Sequence, residues 1–277
     1  MTVILDGKAV SARVRAELKE KASKLGVKPG LATVLVGGDP ASRMYVGMKD
    51  RACREAGFHS VRRDLSEDVS EEELLSVIDG LNKDKEVHGI LVQLPLPDNI
   101  NVNRVLAAVS HSKDVDGFHP RSMGELMAGD ERMVAATPKG VIRLLDEYEI
   151  PVEGREVVIV NHSTVVGKPL AMLFLNRFAT VTVCHVKTED LGFHTRRADI
   201  LVPATGVPHL IKEDMVKEGA VVVDVGVAKK DSETVGDVDF EKVKDKCSYI
   251  SPVPGGAGPM TIAMLLENTL KAAQAVE

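Results

Sequence analysis

Apolar positions recur at two periods along the chain, and their alternation lays out a fold. Val10, Val14, Leu18, Ala22 and Leu25 fall at helical spacing, which predicts a helix over 8–25. The run L-A-T-V-L-V-G (31–37) then reads as a strand. Asp39 and Pro40 open the next helix, the acid offering an oxygen to unpaired N–H groups and the proline fitting the first turn. Ser70 with Glu73 three residues on marks another helix start. V-H-G-I-L-V-Q (87–93) is a further extended run.

The second half keeps the same rhythm. E-V-V-I-V (156–160), T-V-T-V-C (180–184), D-I-L-V (199–202) and A-V-V-V-D-V (220–225) read as short strands at the spacing of successive βα units. Strands that are apolar throughout, separated by helices, indicate parallel sheets covered on both faces. The expected class is therefore α/β, with two α/β domains, the second a Rossmann-type doubly wound parallel sheet. Thr137-Pro138 reads as a helix start, which sets the expected domains at 1–137 and 138–258. A last amphipathic helix, 259–277, carries Ile262, Leu265, Leu266 and Leu270. An isolated helix of that length is marginal, so it is expected to pack back on the first domain.

Composition removes several classes of partner. The chain has 277 residues, a net charge of −6, 3% aromatics and no Trp. Neither an electrostatic footprint for nucleic acid nor a base-stacking surface is expected. No apolar run approaches the roughly 20 residues that span a bilayer, and Asp6 interrupts the amino-terminal apolar stretch early, so a soluble chain without a signal peptide is expected. Three widely spaced cysteines, Cys53, Cys184 and Cys247, suit a reducing, cytoplasmic compartment. The eight histidines form no ligand motif, and no metal is expected.

Strand 156–160 leads into N-H-S-T-V-V-G-K-P (161–169), a turn entering a helix. In a dinucleotide-binding sheet the first βα turn sets the pyrophosphate on a helix N-terminus. G-x-G-x-x-G is absent; Asn161 can take the positive φ of a glycine, Gly167 permits close helix–strand approach, and Ser163 offers a hydroxyl. A crossover without a ligand has the same pattern. The second strand ends in C-H-V-K-T (184–188), where His185 and Lys187, with His162, supply positive charge toward a 2′-phosphate; a solvated loop lysine accounts for Lys187 equally well.

The segment V-G-G-D-P-A-S-R-M-Y-V-G-M-K (36–49) places Tyr45 and Lys49 four apart on one helix face. A lysine on a partly dry face titrates low enough to move protons, and the tyrosine offers an aromatic surface. An ordinary amphipathic helix with a snorkelling lysine gives the same spacing. Gln93 ends an apolar strand where parallel sheets bind ligands, and Pro95 and Pro97 follow with trans or cis bonds. Asp114 and Asp116, in K-D-V-D-G-F-H-P, are either acceptors for a ligand or turn formers. S-P-V-P-G-G-A-G-P-M-T (251–261) joins rigid prolines to permissive glycines.

Together these segments resemble the bifunctional methylenetetrahydrofolate dehydrogenase/cyclohydrolase family. The shared pieces are V-G-G-D-P-A-S-x-x-Y-V-x-x-K, G-I-L-V-Q-L-P-L-P, K-D-V-D-G-F-H-P, T-P-K-G-V, V-V-G-K-P, A-T-V-T-V-C-H and P-V-P-G-G-A-G-P-M-T, in the family's order across residues 36–261. The resemblance implies oxidation of 5,10-methylenetetrahydrofolate with a nicotinamide dinucleotide, then hydrolysis of the methenyl product to 10-formyltetrahydrofolate. It implies Lys49 as general acid/base, Gln93 orienting it, Tyr45 against the aminobenzoyl ring and Asp116 on the pterin. Pro254, Gly255 and Gly256 would line a folate cleft between the domains. Asn161, His162, Ser163, Val166, Gly167, Lys187, Thr205 and Gly226 would bind the cofactor, and a homodimer would form through the dinucleotide domain.

Two departures bear on the cofactor. The family's G-R-S is Asn161-His162-Ser163 here, and its C-H-S is Cys184-His185-Val186. NADP is the expected cofactor, with NAD as the alternative, since His162 replaces the arginine only in part and Val186 cannot hydrogen-bond. Competing readings are a dehydrogenase lacking the hydrolytic step, a Rossmann dehydrogenase for another small acid, and a non-catalytic folate or nucleotide sensor.

Overall fold

Asp39 caps its helix as its position suggests: its Oδ2 accepts from Ser42 N at 2.7 Å, with Pro40 at the first turn. The structure, a computed structural model, describes residues 1–276 apart from Ser232. In chain order, β1 (Val3–Ile4) and α1 (Gly7–Ser23) precede β2 (Gly30–Val36), α2 (Pro40–Glu55), β3 (His59–Leu65), α3 (Glu71–Lys83), β4 (Gly89–Val92), α4 (Val102–Ala108) and α5 (Pro120–Met127). Strand β2 is buried along its whole length, as a central strand must be, and pairs in parallel with both β3 and β4. Ala32, Val34, Ile90 and Val92 meet Leu74 and Ile78 of α3 in one core. Ser70 Oγ accepts from Glu73 N at 3.2 Å, half of a capping box.

The apolar pattern does not reveal β3. Its sequence H-S-V-R-R-D-L is polar because it is an edge strand, paired among the described residues with β2 alone and open over Arg62, Arg63 and Asp64. Charged side chains on such an edge discourage pairing with another chain.

The chain continues through α6 (Ala136–Glu147), β5 (Glu156–Val160), α7 (Gly167–Leu175), β6 (Thr180–Cys184), α8 (Leu191–Thr195), β7 (Ile200–Pro203) and β8 (Val221–Val222). A small antiparallel pair, β9 (Ala228–Lys230) and β10 (Glu233–Val235), then α9 (Phe240–Val243), β11 (Tyr249–Ile250) and α10 (Ala257–Gln274) complete it. The larger sheet is parallel with order β1-β11-β8-β7-β5-β6. Val158, Val160, Leu201, Val222 and Ile250 form its core with Val243 of α9. Beyond β8, Val223 N and Val225 N still donate to Leu201 O and Pro203 O at 2.9 Å, so the extended run 220–225 keeps to the sheet.

The chain divides into two compact units. The three-strand unit holds Arg13–Ala136 and the residues from Ile262 on; the six-strand unit holds Met1–Ala12 and Thr137–Thr261. The first twelve residues thus depart from the expectation that grouped 1–137. Val3 and Ile4 pair with Tyr249 and Ile250, so the amino-terminal segment adds the last strand to the later sheet. A two-residue strand has no period from which that could be read. In α10, the buried Asn268 Nδ2 donates to Val115 O and Val134 O, both at 2.8 Å, tying the later turns of the helix to the three-strand unit.

Candidate active site

In the three-strand unit, α2, the end of β4 and the loop after α4 supply the charged group and its partners. Gln93 directly follows β4, and its backbone N donates to Val34 O at 2.8 Å, which continues the sheet and fixes the residue's position. Gln93 Nε2 donates to Leu94 O at 2.7 Å, so the amide must turn its Oε1 away from that carbonyl. Lys49 Nζ donates to this Oε1 at 3.0 Å. Burial pulls Lys49 below the ordinary lysine range, while the charge of Asp116 pushes it back up.

Asp116 shows the reciprocal effect. Burial raises its carboxyl to about 7; the Lys49 charge lowers it and the Asp114 charge raises it further. Lys49 and Asp116 each keep part of their surface open, so their charged ends are poorly solvated without being sealed off. Tyr45 lies one turn before Lys49 on α2 and is 38% exposed, leaving an aromatic face open to solvent.

Asp114 takes the turn-forming role of its two readings. It is buried, and its carboxylate accepts from Phe118 N, His119 N and Ser122 Oγ at 3.1, 2.9 and 2.6 Å. Gly117 turns the chain with φ +68°, where a Cβ would meet Ala135 N at 2.6 Å. Leu94–Pro95 is cis, as is Val253–Pro254; Leu96–Pro97 is not.

In the six-strand unit the cofactor candidates gather at the carboxyl ends of parallel strands, where sheets of this kind bind ligands. Asn161 does not adopt positive φ; among the described non-glycine residues that conformation belongs to Glu149, Phe178, Asp190, His209 and Asp231. Its side chain shapes the loop instead. Oδ1 accepts from Ser163 N at 2.8 Å and Gly167 N at 3.0 Å, and Nδ2 donates to Ala204 O at 2.6 Å. An amide can both accept and donate, so one residue joins the loop after β5 to that after β7. Gly167 is obligatory there, since a Cβ would sit 2.0 Å from Asn161 O. Ser163 Oγ accepts from Val166 N at 3.1 Å, which leaves its proton free to donate.

His162 and His185 bring the loops after β5 and β6 together, their rings edge-to-face with centroids 5.3 Å apart. His185 Nδ1 accepts from Lys187 N at 3.2 Å, which assigns the ring proton of the neutral form to Nε2. Lys187 and Val186 are exposed beside them. Thr205 and Gly226 follow β7 and β8, and both are held by buried acids that no motif singles out. Thr205 N and Oγ1 donate to Asp237 Oδ2, and Gly226 N donates to Asp224 Oδ1 at 2.9 Å.

Pro254, Gly255 and Gly256 also belong to the six-strand unit. Gly256 is buried, and a Cβ there would meet Ser251 Cβ at 2.7 Å, so its glycine is required by packing within the turn. Pro254 and Gly255 keep open surface, and Gly255 has φ +120°. Two open depressions, of about 530 and 220 Å³, lie at the opposite, amino-terminal ends of the larger sheet's strands, lined by Glu218, Gly219 and Ser248 among others. They are remote from the carboxyl-end loops that carry the cofactor candidates.

A parallel sheet with a tight βα turn and polar loops at its carboxyl edge, in a chain that also pairs a poorly solvated lysine with an amide, defines an α/β enzyme with a dinucleotide-binding unit. The family model for the tetrahydrofolate dehydrogenase/cyclohydrolase catalytic domain matches residues 5–116, and that for the NAD(P)-binding domain of the same family matches 135–277. The chain belongs to the tetrahydrofolate dehydrogenase/cyclohydrolase family. It is 55% identical over 275 residues to the bifunctional protein FolD of Methanosarcina barkeri, covering 98% of this chain and 96% of that one. The bifunctional FolD enzyme of Campylobacter jejuni superposes with a TM-score of 0.98 at 52% identity over the whole of both chains. The Trypanosoma brucei enzyme, solved with NADP and an inhibitor, superposes with a TM-score of 0.95 at 34% identity over 100% of this chain and 99% of that one.

Proposed function

We infer that this chain oxidises 5,10-methylenetetrahydrofolate with a nicotinamide dinucleotide and hydrolyses the resulting methenyl cation to 10-formyltetrahydrofolate. The Lys49–Gln93 contact at 3.0 Å carries the reading, because binding alone has no use for a proton-transfer group aimed by an amide. Poor solvation holds Lys49 closer to neutrality than a surface lysine, so it can accept a proton from the attacking water and return it as the ring opens. Gln93 fixes the direction of the ammonium. Asp116 is suited to accept pterin N–H groups, and the open face of Tyr45 is suited to an aromatic ring.

The dinucleotide, when bound, supplies the hydride acceptor. Asn161, Ser163, Val166 and Gly167 would shape the pyrophosphate turn at the start of α7, with Thr205 and Gly226 on the β7–β8 side. NADP is the cofactor we assign, supported by His162 after β5 with His185 and Lys187 after β6, and by the NADP complex of the T. brucei relative. An absorbance assay with 5,10-methylenetetrahydrofolate, run with NADP and with NAD, tests this. Oxidation with a higher kcat/KM for NADP is expected. Oxidation favouring NAD would overturn the cofactor assignment, and no oxidation by folded protein would overturn the function.

We also propose a homodimer joined through the six-strand unit. Among the described residues, strand β6 is an edge paired only with β5, and Leu175, Phe178 and Val183 near or within it are 47%, 78% and 37% exposed. Phe178 holds φ +59°, an unusual conformation for an aromatic residue. Light scattering should give twice the chain mass, falling to one chain in Phe178→Glu; a wild-type monomer would remove the proposal. Buried free thiols at Cys53, Cys184 and Cys247 support a reducing, cytoplasmic setting.

A further inference from the structure

Two carboxylates lie beneath the carboxyl edge of the larger sheet, and among the described residues no cation lies against them. Asp237 is fully buried and Asp224 is 3% exposed. Asp224 Oδ1 accepts from Gly226 N at 2.9 Å and Asp237 N at 3.2 Å, and its Oδ2 accepts from Val238 N at 2.9 Å. Asp237 Oδ2 takes both the backbone N and the hydroxyl of Thr205, whose Oγ1 in turn accepts from Val207 N at 3.1 Å. Asp237 Oδ1 is buried without a hydrogen-bond partner among the described residues. The carboxyl group abuts Gly226 so closely that a Cβ there would lie 1.9 Å from Oδ1.

This arrangement is expensive. Burying a carboxylate beside another costs free energy, and an unpaired buried oxygen adds to that cost. Packing alone would be better served by an apolar pair of the same volume. What the two acids accomplish is to lock three segments together: the loop after β7 at Thr205, the loop after β8 at Gly226, and the chain after β10 at 236–238.

The sheet order says which part of a dinucleotide those loops face. The pyrophosphate belongs at the turn after β5, and the end of β6, on one side of β5, is where the adenosine ribose is read. Strands β7 and β8 lie on the other side of β5, so the nicotinamide half must run over the loops that follow them. We propose that Asp237, braced by Asp224, is a positioning residue for the nicotinamide half of the dinucleotide, acting through Thr205 and Gly226. The proposal rests on the dehydrogenase/cyclohydrolase reading above.

The two activities of the chain separate this role from a merely structural one, because hydrolysis of the methenyl compound uses no dinucleotide. Asp237→Ala removes the acceptor, Asp237→Glu keeps a carboxylate but displaces it by one methylene, and Asp237→Asn keeps one oxygen for Thr205. In the full-length protein, Ala and Glu should each raise the dinucleotide KM about tenfold, the scale of one lost buried hydrogen bond. Hydrolysis of added methenyltetrahydrofolate should stay within about twofold, and Asn should restore the KM to near wild type. An unchanged KM in both Ala and Glu, or parallel loss of oxidation and hydrolysis in both, would overturn the proposal. Wild-type protein that hydrolyses the methenyl compound but oxidises nothing with either dinucleotide would instead overturn the dehydrogenase reading beneath it.

Discussion

The ammonium of Lys49 donates to the amide oxygen of Gln93 across 3.0 Å, joining residues 44 positions apart in sequence. The amide cannot reverse without losing its own bond to Leu94 O. A proton-transfer group is thereby held in one direction by a neutral partner, which leaves its charge free to change.

Lys49→Ala should lower methenyl hydrolysis by at least about a hundredfold, the usual worth of a positioned acid/base. Hydride transfer should remain measurable when the methenyl product is followed directly, because that step depends mainly on alignment. Equal loss of both activities in a folded variant would count against the assigned role.

Asp116→Ala should weaken folate binding, raising the folate KM about tenfold. It also removes the charge that holds the Lys49 pKa up, so that pKa falls further and the pH profile of hydrolysis moves to lower pH. A variant with unchanged folate KM and an unmoved profile would take Asp116 out of the site.

His162→Arg should raise the kcat/KM preference for NADP over NAD about tenfold, since a guanidinium is always charged and binds phosphate in bidentate fashion. Rate measurements with both dinucleotides decide it. No change in the ratio would mean that the 2′-phosphate is not read beside His162.

Asp224 links stability to pH. Burial raises its carboxyl to about 7, the Asp237 charge adds to the rise, and N–H donors led by Val238 oppose it. A carboxyl raised in the native state binds its proton there at a pH where the unfolded chain has lost it. Stability from this group is therefore full below about pH 4 and lost as pH rises through about 7, by at most about 4 kcal/mol. Asp116 is raised to about 7 as well and acts in the same direction. Asp237→Asn removes the neighbouring charge, so denaturant unfolding across this window should fall off less steeply than in wild type. An equal slope would show that the two acids do not interact.

Much of this protein follows from local pattern. Runs such as 31–37 and 156–160 are apolar at nearly every position because a central parallel strand is covered on both faces, and that is legible in the sequence alone. The caps at Asp39 and Ser70 act over three residues, so they too are legible. Motif order along the chain carries the family. The polar edge strand β3 and the two-residue strands β1 and β11 were beyond this reach, since pairing partners and not their own residues make them strands.

What tertiary structure alone decided are relationships between distant residues. It turned Asn161 from a glycine substitute into a side-chain brace for two loops, and made Asp114 a buried acceptor while leaving Asp116 within the electrostatic reach of Lys49. It also set Asp237 beneath Thr205 and Asp224 beneath Gly226. Periodicity reports which face of an element is covered; the state of a buried charge depends on which groups, from anywhere in the chain, are folded against it.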